Sequence, residues 1–123
     1  MTTVLLLDDN PDMLKVLAQV LEWGGYEIMT GRNGKEGIDW LNRADDLPAV
    51  IVSDLSMPIM DGIALLKEVR GTPEWAHLPF VMMSAQDALD GLDTLDANAY
   101  LIKPFQLEEF QQILHRWLTP DGG

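Results

Sequence analysis

The chain contains no cysteine, which removes disulfides and cysteine-clamped zinc from the ways it could be held together and fits a reducing, cytoplasmic setting. Basic residues are scarce. Eight Lys and Arg stand against twenty Asp and Glu, for a formal net charge of -12. A surface so acidic repels nucleic acid and anionic lipid and favours cations or basic partner surfaces, so no direct nucleic-acid or membrane contact is expected. No apolar run is long enough to span a bilayer, and Met1-Thr2-Thr3 lacks the basic region and apolar core of a signal peptide. Neither GxxxxGK[ST] nor GxGxxG occurs, which disfavours a nucleotide-binding enzyme. Internal repeats and low-complexity tracts are also missing.

What is present is a chain of 123 residues, 47% hydrophobic, enough for one domain with a proper core. It alternates strand and helix signals. Val4-Leu5-Leu6-Leu7 is a short apolar run ending in Asp8-Asp9, and Asn10-Pro11 supplies a helix cap and a proline suited to the first helical position. Leu14, Leu17, Val20 and Leu21 recur at helical spacing until Gly24-Gly25. Residues 26–30 read as a weaker strand and 35–44 as a second amphipathic helix. Ala49-Val50-Ile51-Val52-Ser53-Asp54 reads as a strand buried on both faces, with a carboxylate at its tip. Residues 62–70 form a third helix; Pro79 opens the apolar run 80–83, and an acidic helical stretch leads to the strand 99–102. A last helix over 107–118 starts at Glu108 and Glu109 and ends near His115 and Arg116, as the helix dipole favours. Five strands alternating with five helices give an α/β fold, a doubly wound parallel sheet.

In such a sheet Asp8 and Asp9, Asp54, Ser84 and Lys103 all fall on the carboxyl edge, where ligands bind. Two carboxylates about 4 Å apart repel by roughly 4 kcal/mol at an effective dielectric of about 20, so three of them call for a cation. An all-oxygen site of this size suits Mg²⁺. A lysine and a hydroxyl beside it are what the oxygens of a transferring phosphoryl group require, so the set reads as phosphoryl transfer onto a carboxylate.

With Asp54 followed by Met57-Pro58-Ile59-Met60-Asp61-Gly62, Ser84-Ala85 after the fourth strand and Lys103-Pro104-Phe105 after the fifth, the sequence resembles the receiver domain of two-component response regulators, chemotaxis regulators among them. The resemblance covers residues 1–118 and leaves 119–123 as a short tail. It implies a flavodoxin-like fold with strand order 2-1-3-4-5 and a cis Lys103-Pro104 bond. It implies further that Asp54 accepts phosphate from a histidine kinase or phosphotransfer protein, and that Asp9, Asp54 and the carbonyl of Ser56 hold Mg²⁺, with Asp8 supporting it through water. Ser84 and Lys103 turn to the phosphoryl oxygens, Tyr100 is the aromatic switch that moves with Ser84, and Ser56 and Gln86 tune dephosphorylation. Neither Ser56 nor Gln86 is charged, so a moderate to long phosphoryl lifetime is expected. The implied function is a phosphorylation-controlled switch acting on a downstream partner, not a turnover enzyme. A hydrolase with an aspartyl-phosphate intermediate would want a second carboxylate where Ser56 stands. A passive receiver-like interaction domain is opposed by the complete acidic, hydroxyl and lysine set.

Other roles compete for some of these residues. Asp61 suits the cap of the third helix, and Tyr100 could be plain packing. Between Ser84 and Lys103 the chain is short by about one helical turn relative to the family pattern. Asp87, Asp90, Asp93 and Asp96 follow one another at i, i+3 there, with Gly91 among them. Like charges so spaced predict a short or frayed fourth helix, and homodimerisation through that face is left open.

Overall fold

The computed structural model describes residues 2–85 and 96–118. The expected strands are β1 (Thr3–Leu7), β2 (Glu27–Gly31), β3 (Val50–Asp54), β4 (Phe80–Ala85) and β5 (Ala99–Lys103). They pair in parallel in the order β2-β1-β3-β4-β5, as the family resemblance implies. Four helices stand among the described residues rather than the five expected: α1 (Pro11–Trp23), α2 (Gly34–Arg43), α3 (Gly62–Gly71) and α4 (Leu107–Leu118). The short fourth helix read from the aspartate repeat falls on residues 86–95 and lies outside the described residues.

Away from the polar residues at their ends, the central strands are apolar at successive positions because both faces of the sheet are covered. Val4 and Leu6 of β1, Val50 and Val52 of β3, and Val81 and Met83 of β4 face one layer, with Leu17, Val20 and Leu21 of α1 and Phe110 and Leu114 of α4. The intervening Leu5, Leu7, Ile51, Phe80 and Met82 face the other, with Leu41 of α2 and Leu65, Leu66 and Val69 of α3. The period of two along each strand thus divides one apolar sequence between two cores.

Side chains set the helix starts. Asn10 caps α1, its Oδ1 accepting from the amides of Asp12 and Met13 at 3.0 and 3.2 Å. Asn33 caps α2 by accepting from Glu36 N at 2.9 Å, a pattern of Asn followed three residues later by Glu that the sequence carries and the expected start at residue 35 overlooks. Asp61 caps α3, accepting from Ala64 N at 2.8 Å. No helix of the described residues is long and apolar enough to cross a membrane.

Candidate functional site

The carboxyl ends of β1, β3, β4 and β5 share one edge of the sheet, and the strand order reverses at β1 and β3. That is where open α/β sheets open a ligand crevice. β1 runs out into Asp8 and Asp9, β3 ends in Asp54, and β5 ends in Lys103. One oxygen from each of the three carboxylates lies within 4.8 Å of the others. The Lys103 ammonium reaches in from β5, donating to Asp8 Oδ2 at 3.1 Å and standing 3.3 Å from Asp54 Oδ1. The structure therefore brings together Asp8, Asp9, Asp54 and Lys103.

The carboxylates are differently committed. Asp8 is fully buried, with Oδ1 accepting from Asn10 N at 3.0 Å and Oδ2 from the lysine. Asp9 is exposed. Asp54 is 8% exposed, and among the described residues its carboxylate meets the lysine alone, which holds it at the crevice. Burial pushes the Asp54 carboxyl above its ordinary pKa; the Lys103 charge pulls it back, and the charges of Asp8 and Asp9 help keep the net shift upward. For Lys103 burial favours the neutral amine, but the hydrogen bond to Asp8 and the charges of Asp54 and Asp8 outweigh it and hold the ammonium above its ordinary pKa. One ammonium against three carboxylates leaves the cluster short of positive charge.

That shortage, with a donor set made only of oxygen, fits a hard divalent cation. The mutual separation of the three carboxylate oxygens, no more than 4.8 Å, is close to the ~4.2 Å across an octahedral Mg²⁺.

The remaining expected residues are placed less directly. Ser84 is buried at the end of β4 and its Oγ donates to the carbonyl of Ala85 at 3.1 Å, the backbone bond common for a strand-end hydroxyl. Ser56 is exposed in the loop just past Asp54. Tyr100 is half-buried on β5 and packs against the α2 and α3 core. Gln86 lies outside the described residues. Lys103-Pro104 is cis, as expected.

The loop from β3 to α3 is tied at several points. Leu55 N donates to Met83 O, Gly62 N to Leu55 O and Gly34 N to Met60 O, each at 2.8 Å. Between these ties Met60 N donates to Pro58 O at 2.7 Å, closing a three-residue turn around Ile59 at φ 69°. A β-branched residue there is strained, and nothing in the sequence announces it. Ile59 is also 80% exposed, so it returns little packing. Ile59→Gly is expected to stabilise the protein by about 0.5 kcal/mol, the left-handed penalty of roughly 1 to 2 kcal/mol being partly offset by glycine's greater freedom when unfolded. Urea denaturation checks this, and a drop in midpoint would contradict it.

A model of the response regulator receiver domain matches residues 4–115. The chain belongs to the response regulator receiver domain family. It is a receiver domain of the kind found in two-component response regulators. Response regulator MprA of Mycolicibacterium vanbaalenii is 34% identical over 98% of this chain and 53% of its own length. The receiver domain thus spans about half the length of that relative. The chemotaxis response regulator CheY4 of Vibrio cholerae superposes with a TM-score of 0.86 at 29% identity, covering 96% of this chain and 99% of its own. The receiver domain of a Pseudomonas aeruginosa sensor histidine kinase, solved with magnesium coordinated in its active-site cleft, has a TM-score of 0.84 at 27% identity over 94% of this chain and 96% of its own.

Proposed function

We propose that this receiver domain, residues 1–118, is a phosphorylation-controlled switch whose Asp54 takes a phosphoryl group from a phosphohistidine of a histidine kinase or phosphotransfer protein. The observation that carries the reading is the Asp8, Asp9, Asp54 cluster with Lys103 bonded into it. A carboxylate oxygen of Asp54 attacks phosphorus, the bond from phosphorus to the imidazole nitrogen breaks, and the imidazole leaves with the electron pair. The product is an acyl phosphate on Asp54. Asp9, Asp54 and the carbonyl of Ser56 would hold Mg²⁺, with Asp8 behind them, and the ion would supply positive charge against the phosphoryl oxygens. The magnesium in the related Pseudomonas aeruginosa receiver supports that assignment.

Lys103 already carries its charge at the cluster, so it meets a phosphoryl oxygen with little reorganisation. Ser84 turns its hydroxyl from the Ala85 carbonyl to another phosphoryl oxygen, and Tyr100 follows it inward. Ser56 and Gln86 tune dephosphorylation; neither is charged, so the phosphoryl group has a moderate to long lifetime. The domain is a phosphoacceptor that assists its own labelling rather than a turnover enzyme. Phosphorylation biases a pre-existing equilibrium by about 1 to 3 kcal/mol, and the shifted surface regulates a partner in the cytoplasm.

Intact mass after incubation with acetyl phosphate tests the reading. A single labile phosphoryl adduct is expected with Mg²⁺ and none with the metal chelated. No adduct, with Mg²⁺ binding confirmed separately, would contradict it and leave a passive interaction domain.

A further inference from the structure

Lys103 reaches Asp8 and Asp54 only while β5 keeps its register against β4, in which Ala99 pairs with Val81 and Lys103 with Ala85. The sequence of β5 does little to fix that register. Ala99-Tyr100-Leu101-Ile102 is apolar at every position, β5 is an edge strand, and only Leu101 is buried. A slip by one residue would trade one apolar side chain for another at the core while carrying the lysine to the opposite face. Something else must specify the pairing.

At the opposite end of the sheet, just before β5, Asn98 N donates to Phe80 O at 2.8 Å, and Asn98 Oδ1 accepts from Phe80 N at 2.8 Å. The first residue of β4 is thus gripped on both its backbone groups by one asparagine. Arg70, in the last turn of α3, closes on the same point. Its Nη2 donates to Asn98 Oδ1 at 2.8 Å, Nε to Asp96 O at 2.9 Å, and Nη1 to Leu78 O at 2.7 Å and Ala76 O at 3.2 Å. The guanidinium therefore bonds at once to the turn leading into β4 and to the segment leading into β5. Its ion pair with Asp96, 3.4 Å away, is exposed on the acid side and adds little. The grip comes from the planar fork of donors, which a lysine does not reproduce.

We propose that Arg70 is a positioning residue for the Asp54 reaction: with Asn98 it locks the register of β5 on β4 and so holds Lys103 at the acidic cluster from the far end of the sheet. This rests on Asp54 being the acceptor, and the test separates the two. The rate of labelling by acetyl phosphate is measured at saturating Mg²⁺, with Mg²⁺ affinity measured beside it. Lys103→Ala should slow labelling by about 100-fold, as loss of a charge-stabilising donor does. Arg70→Ala should slow it by about tenfold through misplacement of that donor, without weakening Mg²⁺ affinity, since the three carboxylates ride on β1 and β3. In a Lys103→Ala background Arg70→Ala should add no further loss. Asn98→Ala should behave like Arg70→Ala. Asn98→Asp keeps an acceptor for both the Phe80 amide and the guanidinium and should label near the wild-type rate.

Labelling of Arg70→Ala at the wild-type rate overturns the proposal. So does a loss that multiplies with that of Lys103→Ala, or an Asn98→Asp variant as slow as Asn98→Ala. If Arg70→Ala does not fold, the Asn98 pair decides. If the wild type takes no label, the reading of Asp54 fails by itself, and amide hydrogen exchange still decides the lock. Lost protection at Tyr100 and Ile102, whose amides face β4 as that of Asn98 does, in the Arg70 or Asn98 variants upholds it, and unchanged protection overturns it.

Discussion

Asp54→Asn is expected to take up no phosphoryl group from acetyl phosphate under conditions that label the wild type fully, although Asp8 and Asp9 stand beside it. Intact mass checks the outcome. Asp8 cannot substitute because it is fully buried and both its oxygens already accept hydrogen bonds, from Asn10 N and from Lys103. Asp9 is exposed and beyond the end of β1, where no strand fixes its carboxylate against the lysine. Only Asp54 combines a position at a strand end, access to the crevice, and an oxygen 3.3 Å from Lys103. The asparagine keeps the shape of the aspartate and removes the nucleophilic charge. An adduct on Asp54→Asn at the wild-type level would place the acceptor elsewhere.

The second large effect falls on stability. Gly62→Ala is expected to destabilise the protein by about 3 kcal/mol, the upper end for overpacking a core, and to slow labelling with it. A Cβ built at Gly62 would lie 2.4 Å from the carbonyl oxygen of Asp54, 2.8 Å from Met82 Sδ and 3.0 Å from Leu55 Cα. Two of these are backbone atoms of the segment that presents the acceptor, so they cannot yield as the end of a side chain can. α3 must move away from β3, or the carbonyl of Asp54 must turn, and either shifts the carboxylate. Urea denaturation gives the stability loss. A midpoint and labelling rate equal to those of the wild type would show that the loop absorbs the methyl group.

The parts of the fold that could be read from the sequence are those where local pattern and tertiary demand agree. The β3 run is apolar because both faces are covered, and its aspartate is conspicuous because a charge at the end of a buried strand needs a partner. The caps at Asn10 and Asp61 are local interactions within three residues, so the sequence displays them. Arg70 is the contrary case. Its carbonyl and asparagine partners lie 6 to 28 residues away, and nothing in a helical Val69-Arg70-Gly71 distinguishes it from a solvated surface arginine. Ile59 misleads for a different reason. Its side chain argues for extended backbone, and the ties at Leu55, Met60 and Gly62 override it. At the site itself the carboxylates and the lysine converge as the strand ends require. Ser84 follows its strand to the correct edge, but its hydroxyl donates to the backbone carbonyl of Ala85, a direction that the side-chain pattern does not set.

Chemical trapping shows directly whether the side chain of Asp54 becomes the acyl phosphate. After labelling with acetyl phosphate and Mg²⁺, borohydride reduces the acyl phosphate to an alcohol, and peptide mass mapping then locates the modified residue. Homoserine at position 54, with Asp8 and Asp9 unmodified, is expected. Homoserine at position 8 or 9, or a fully labelled protein with Asp54 intact, would contradict it.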